Sequence, residues 1–280
     1  MKILFLSSEI TPFSCTGGLG DVAGALPKAL KALGCEVRMV TPHYRIIRDR
    51  RYGLRDISRL RTLQFCLGSR VYNCAAKSGF LPGAKVQVYF IVADDLYNRE
   101  GLYVDPQTGR DWPDNHIRFG LLSQASLQLM AHLQWMPDII HCNDWQTALT
   151  VYLARRHSDY REELKHARLI LQVHNLAFQG LFPLASAKDL GFCEDDILPG
   201  GIAEYYGQAS LLKAGLYLAD QIITVSPTYA REILESRESG CGLEGVLNQR
   251  REHVAGILNG VDEDHWNPAQ DMRIANTYDS

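Results

Sequence analysis

Short apolar runs that end in polar residues, each handing over to a helical pattern, recur along this chain and constrain what it can fold into. Residues 2–8 read as a buried strand, and 19–33 as a helix stopped by Gly34. Residues 35–41 read as a second strand, ended by Pro42. Strands are expected over 63–77 and 85–92, with a turn at Pro82-Gly83. Asp114 or Asn115 can cap a helix to about Leu133, with Ile117, Leu121, Leu122, Ala125 and Leu129 on one face. A strand over 137–142 precedes a helix to about Arg156. Strands over 169–175 and 221–226 flank a helix over 207–218. A helix over 228–234 and a last strand over 254–262 follow. This alternation predicts an α/β fold, a Rossmann-like doubly wound and mostly parallel sheet with right-handed crossovers. Ligands of such sheets bind beyond the carboxyl ends of the strands. The polar groups there are Thr16 to Asp21, Asn143-Asp144, His174-Asn175, Ser226, and Asn259 with Asp262.

Thr16-Gly17-Gly18-Leu19-Gly20-Asp21-Val22-Ala23-Gly24 occupies the first strand-to-helix junction. Glycines there remove the Cβ atoms that hold a ligand off the backbone. Free N–H groups at a helix start favour anionic or polar ligand groups. A dinucleotide fingerprint fits badly: Ala23 takes the third glycine position, and Thr41-Pro42-His43 stands where an acid should end the second strand. A nicotinamide oxidoreductase is disfavoured on that ground. The chain has no G-x-x-x-x-G-K-[ST] and no G-x-S-x-G, so a P-loop and a nucleophile elbow are excluded. His174 directly follows a strand, and position alone leaves a site group and a satisfied buried imidazole both open. Asp144 reads as a site carboxylate or as the N-cap of the next helix. Asp21 reads as a site carboxylate or as a partner of the helix dipole. His141 and Asp144 lack a third spaced ligand, so no metal site is expected. Trp145 reads as core. The Arg-rich stretch 45–61 reads as a solvated face or loop. The polar, aromatic-studded stretch from Asp94 to Asn115 reads as a functional or disordered loop.

A formal net charge of −3 with no long run of one sign points away from nucleic acid and membrane surfaces as partners. The seven cysteines are odd in number and show no C-x-x-C spacing, which reads as reduced, isolated thiols in the cytoplasm. Glu9 and Pro12 break the N-terminal apolar run too early for a signal peptide.

Six ordered blocks resemble bacterial glycogen synthases and plant starch synthases. Thr16 to Val22 is similar to their K-T/S-G-G-L-x-D-V signature, His141 to Thr147 to H-x-x-D-W, and Val173 to Gly180 to V-H-N-L-A-Y/F-Q-G. Lys213-Ala214-Gly215 with Ala219-Asp220 and Thr224 to Ala230, Gly242 to Gly245, and Leu258 to Asp262 with Trp266-Asn267-Pro268 resemble the rest. The resemblance implies the N-terminal half of a GT-B architecture. Residues 1–265 would form the Rossmann-like domain, and 266–280 the start of the crossover to a C-terminal domain missing from this sequence. It implies transfer of glucose, with retention, from ADP-glucose or UDP-glucose to the non-reducing end of an α-1,4-glucan, with no metal or cofactor. It implies catalytic roles for His174 and Asp144, and substrate binding by Cys15, Gly17, Gly18, Asp21, Tyr97 and Asn259. The chain departs from the signature at Cys15, where the family has a lysine, and a thiol brings no positive charge. Without the second domain the chain is expected to be inactive. The alternative is a non-catalytic glucan-binding or regulatory homologue.

Overall fold

Lys2–Leu6 (β1) is buried from Ile3 onward, because helices cover both faces of the sheet it belongs to, and it therefore reads as an unbroken apolar run. In the computed structural model, which describes residues 1–262 and 266–279, β1 lies in the middle of that sheet. Gly18–Ala32 (α1) carries the chain to Glu36–Pro42 (β2), which pairs parallel with β1. Leu63–Leu67 (β3), Arg70–Phe80 (β4) and Gln87–Val92 (β5) extend this side. The other side is built from Asn115–His132 (α2), Ile139–Asn143 (β6), Trp145–Arg156 (α3) and Arg168–Val173 (β7). Leu211–Leu218 (α4), Gln221–Thr224 (β8), Pro227–Glu235 (α5) and Val254–Gly256 (β9) complete it.

The sheet order is β9-β8-β7-β6-β1-β2-β5-β4, with Arg55–Asp56 beyond β4 and β3 paired to β4. All pairs from β9 to β5 are parallel, and β4 is antiparallel to both β5 and β3. From β1 the chain builds first to one side through β2, then to the other through β6. The switch point thus lies between β1 and β6, where ligands of open α/β sheets bind. The register places Leu6 opposite both Val40 and Cys142, and Cys142 opposite Leu171. Glu9, Asp144 and His174 are therefore delivered to one edge. Asn143 Nδ2 donates to the Leu6 carbonyl across the gap (2.8 Å).

α3 is buried from Trp145 to Ala154, apolar on nearly every side, because α2 and α4 cover it. α4 comes close through Gly215, where a Cβ would meet Ala148 Cβ and Leu171 Cδ2, each at 2.9 Å.

Several boundaries differ from expectation. The single strand over 63–77 is a hairpin, because Gly68 at φ +60° turns the chain between β3 and β4. The last strand stops at Gly256, where a Cβ would sit 2.2 Å from the Ser226 carbonyl, and Asn259 to Val261 are exposed. The helix over 207–218 begins at Leu211, since Gln208–Ser210 instead pairs with Leu181–Pro183 and Glu204–Tyr205 in a small sheet. The stretch from Asp94 to Asn115 is ordered by a helical turn, Asp94–Tyr97, and a hairpin of Val104–Asp105 with Arg110–Asp111. Asp114 does not cap α2 with its side chain, because its carboxylate is held by both Arg99 Nη atoms at 2.7 Å. The Arg-rich stretch is mostly exposed, with Ile47 and Leu60 buried in the core, and its Asp49 is taken by Lys77 and His43. All seven cysteines are free. The proposed boundary at 265 lies outside the described residues.

Candidate functional site

The glycines of the Thr16–Gly24 stretch divide into two kinds. A Cβ on Gly20 would meet Cys15 Sγ at 2.8 Å, and one on Gly24 the Thr11 carbonyl oxygen at 2.8 Å. Those two are demanded by packing of α1 against the preceding loop. A Cβ on Gly17 or Gly18 would meet nothing within 4 Å. Gly17, at φ −171°, has an extended backbone open to any residue. Neither packing nor conformation calls for glycine at these two, and the space they leave opens outward. Their N–H groups, at the start of α1, have no acceptor among the described residues. An oxygen-rich ligand fits that arrangement.

Asp144 follows β6 with φ +54° and ψ −174°, a region that side-chain-bearing residues rarely occupy. It stands at the N-cap position of α3 but makes no capping bond with its side chain. Its Oδ1 accepts instead from the His174 backbone N–H (2.7 Å), tying the ends of β6 and β7 together. Burial pushes the Asp144 carboxyl up to about 7, against the His174 and Asn175 N–H groups, which pull it down, and Glu9 adds to the rise. The His174 ring is pushed down to about 4 by burial, with His141 contributing. Because Asn143 gives its amide N–H to Leu6, its Oδ1 is the acceptor facing His174 Nε2 (3.3 Å), which leaves Nδ1 free to accept in the neutral ring. His141 is buried against Gln172 Oε1 (2.9 Å) and burial lowers it to about 4. The arrangement can both donate and accept hydrogen bonds at the crevice near neutral pH.

These shifts give opposing slopes of stability with pH. The raised Asp144 carboxyl contributes stability below its ordinary 3.8, lost as pH rises through about 7. The lowered His174 and His141 rings contribute stability above their ordinary 6.5, lost as pH falls through about 4. Asp144→Asn keeps an oxygen for the His174 N–H and removes the first slope. Its thermal midpoint relative to the parent is expected to rise between pH 4 and pH 7 and then level off. A difference that stays flat with pH would show that the carboxyl does not titrate in this window.

A cavity of about 650 Å³ alongside α1 brings together Gly18, Asp21, Lys28, Asn259, Asp262 and Trp266. Asp21 Oδ1 accepts from Thr11 Oγ1 (3.2 Å), and Lys28 pairs with Asp262 (2.9 Å). Cys15 is exposed, its Sγ 3.3 Å from the Gly17 carbonyl and 4.0 Å from Asp21 Oδ1. Tyr97 is in the core at 0 % exposure, its hydroxyl donating to the Arg118 carbonyl (2.6 Å). It is not placed to meet a substrate hydroxyl, and that expectation is corrected. The aromatic side chain that reaches the edge is Tyr103, whose hydroxyl donates to Glu9. Glu9 and Tyr103 escaped the sequence reading, although a lone acid directly after a buried strand was a signal for the first. Ser226 caps α5 by accepting from the Tyr229 N–H (2.9 Å). Tyr229 in turn accepts from the Leu176 N–H, and Lys213 donates to the carbonyls of Gly201 and Glu204. Among the bonds these residues make, the one from the Leu176 N–H to Tyr229 lies two residues beyond His174. No group of three or more His, Cys, Asp or Glu among the described residues is placed to hold a metal, and no helix there is long and apolar enough to cross a membrane.

The whole fold has a solved counterpart. The catalytic domain of starch synthase IV from Arabidopsis thaliana, bound to ADP and acarbose, matches with a TM-score of 0.87 at 29 % identity, over 99 % of this chain and 55 % of that one. The architecture is thus a Rossmann-like half of the GT-B glycosyltransferase fold. A family model described as starch synthase catalytic domain matches residues 2–249, and the chain belongs to that family. It is 41 % identical to a glycogen synthase of Nitrosospira multiformis over 285 residues, covering 99 % of this chain and 55 % of the relative. It is 44 % identical to one of Myxococcus xanthus over 283 residues, covering 99 % and 57 %. The chain spans about half the length of the curated relatives it matches.

Proposed function

We propose that this chain supplies the N-terminal half of the active cleft of a glycogen or starch synthase, which transfers glucose from a nucleoside diphosphate sugar to an α-1,4-glucan with retention. The observation that carries the reading is the open backbone at Gly17-Gly18, whose N–H groups have no acceptor among the described residues, on the same sheet edge as Asp144 and His174. Transfer leaves negative charge on the diphosphate and builds positive charge on the sugar, so groups on both sides must stabilise charge. The Gly17 and Gly18 N–H groups serve the oxygens of the donor. His174 and Asp144 serve the sugar near the reacting carbon, and Asp21 and Asn259 recognise its hydroxyls across the cavity. ADP-glucose is the proposed donor, with UDP-glucose as its competitor, and the proposed setting is the cytoplasm. Residues 1–265 are proposed to form one domain, facing a second that closes the cleft.

The thiol at Cys15, beside Asp21, favours a second reading, a non-catalytic glucan-binding or regulatory homologue. An assay of the full-length gene product with ADP- and UDP-glucose separates the two. Transfer supports the first reading, and glucan binding without transfer supports the second. Cys15→Lys brings an ammonium next to Asp21 and the donor site. It is expected to improve donor KM about ten- to hundredfold, the effect of one charge-assisted contact. No gain would overturn the electrostatic account of position 15.

A further inference from the structure

Glu9 lies just beyond β1, at 2 % exposure, on the switch-point edge. Its Oε1 accepts from Thr16 Oγ1 (2.7 Å) and from Tyr103 OH (2.6 Å), and its Oε2 from the Thr16 backbone N–H. Ser8 Oγ sits 2.7 Å from the same phenol oxygen. A buried carboxylate costs several kcal/mol unless hydrogen bonds satisfy it, and these donors do so. They come from two separate loops, the glycine-rich turn and the stretch between Asp94 and Asn115.

The tip of the turn is open, and its flanks carry the other ties to the segment after β1. Cys15, Thr16, Gly17 and Gly18 are all exposed, and the N-cap of α1, Gly17, makes no side-chain bond. Ile10 pairs with Ser14 on one side of it, and the Thr11 N–H donates to the Gly20 carbonyl (3.0 Å) on the other. Between them, the bonds from Cys15–Gly18 to the segment after β1 are those from Thr16 to Glu9.

We propose that Glu9 is a positioning residue: it pins Thr16 and Tyr103 together at the switch point and so holds the open Gly17-Gly18 backbone beside the crevice that Asp144 and His174 border. The consequence for catalysis rests on the glucosyl-transfer reading, while the geometry does not. The titratable groups that sense Glu9 are the Tyr44 and Tyr103 phenols and the Asp144 carboxyl, all of which its charge pushes up. Through its charge Glu9 also reaches Asp144, which it does not touch.

Two substitutions separate position from charge. In Glu9→Gln the amide oxygen takes the Thr16 N–H, and the amide NH₂ donates to the Thr16 and Tyr103 hydroxyls, which rotate to accept. In Glu9→Ala Thr16 and Tyr103 lose their shared acceptor. The readouts on the 280-residue chain are peptide-resolved hydrogen exchange over residues 13–20 and the rate at which iodoacetamide labels Cys15. Glu9→Ala is expected to speed both by about tenfold or more, the effect of losing charge-assisted bonds. Glu9→Gln is expected to stay within about threefold of the parent. Thr16→Val, which removes one bond at an exposed site and leaves the core intact, is expected to speed Cys15 labelling about threefold. In the full-length enzyme Glu9→Ala should raise donor KM more than it lowers kcat. Glu9→Gln should keep KM and move the Asp144-dependent limb of the pH profile to lower pH. Parent-like exchange and labelling in Glu9→Ala and Thr16→Val, or a Glu9→Gln as loose as Glu9→Ala, overturn the proposal. A full-length parent that shows no transfer overturns the transfer reading instead, and the loop readouts still decide Glu9.

Discussion

Asp144→Gly is expected to be more stable than Asp144→Ala by about 1–3 kcal/mol, the reverse of the usual order for these two residues. Asp144 holds φ +54° and ψ −174°, where glycine is at ease and a Cβ is not. Both variants lose the bond from the His174 N–H to the carboxylate. Only glycine also relieves the backbone. Thermal unfolding of the two side by side gives the answer, at about 2–4 °C for each kcal/mol in a chain of this size. An alanine variant at least as stable as the glycine variant would falsify the claim that this backbone is strained. On the proposed transfer reading, both are expected to reduce transfer by the full-length gene product about 10²–10³-fold, the range for removing a preorganised electrostatic group. Near-parent transfer by the glycine variant would remove Asp144 from the proposed active cleft.

Gly18→Ala and Gly24→Ala are expected to fail in opposite ways. An alanine Cβ at 18 meets open space, so folding is unharmed or gains about 0.4–1 kcal/mol through the unfolded chain. On the proposed donor reading, the same methyl stands in the room left for the nucleotide, and ADP binding by the full-length protein should weaken about tenfold or more. An alanine at 24 drives its Cβ to 2.8 Å from the Thr11 carbonyl, a backbone atom that cannot swing aside. That variant should lose about 1–3 kcal/mol of stability. If its stability is retained, its donor binding is expected to follow. Calorimetric titration with ADP and a melting curve on each variant separate the two glycines. Equal stability and equal affinity in both would erase the distinction.

The sheet was legible because its strands are apolar from end to end and its helices repeat at their own period. β1, β2, β6, β7 and β8 could be placed for that reason. The edge was less legible. β3 and β4 were merged because Gly68-Ser69 is too short a punctuation to stand out between two apolar stretches. The strand after Arg251 was drawn too long because Ile257, Leu258 and Val261 are apolar yet exposed. In the site, strand ends and glycines located His174, Asp144, Gly17 and Gly18. Two facts could not be read from sequence. The direction of the Asp144 carboxylate depends on a backbone conformation that residue type does not announce. The union of Glu9 with Thr16 and Tyr103 depends on loops separated by 94 positions in the case of Tyr103. Tyr97 enters the site reading through the family resemblance alone, and a motif match carries no information about burial.

The central position of β1 has a consequence for how the chain is made. Its two neighbours are β2, which follows soon, and β6, whose Asn143 grips the Leu6 carbonyl from 137 positions away. A ribosome adding about 5–20 residues per second leaves β1 without that second neighbour for roughly 7–30 seconds after it emerges. Through that interval one edge of the first strand is unpaired, apolar and open to other chains. The crevice between β1 and β6 thus closes only once residue 143 has emerged, and until then β1 presents an unpaired apolar edge.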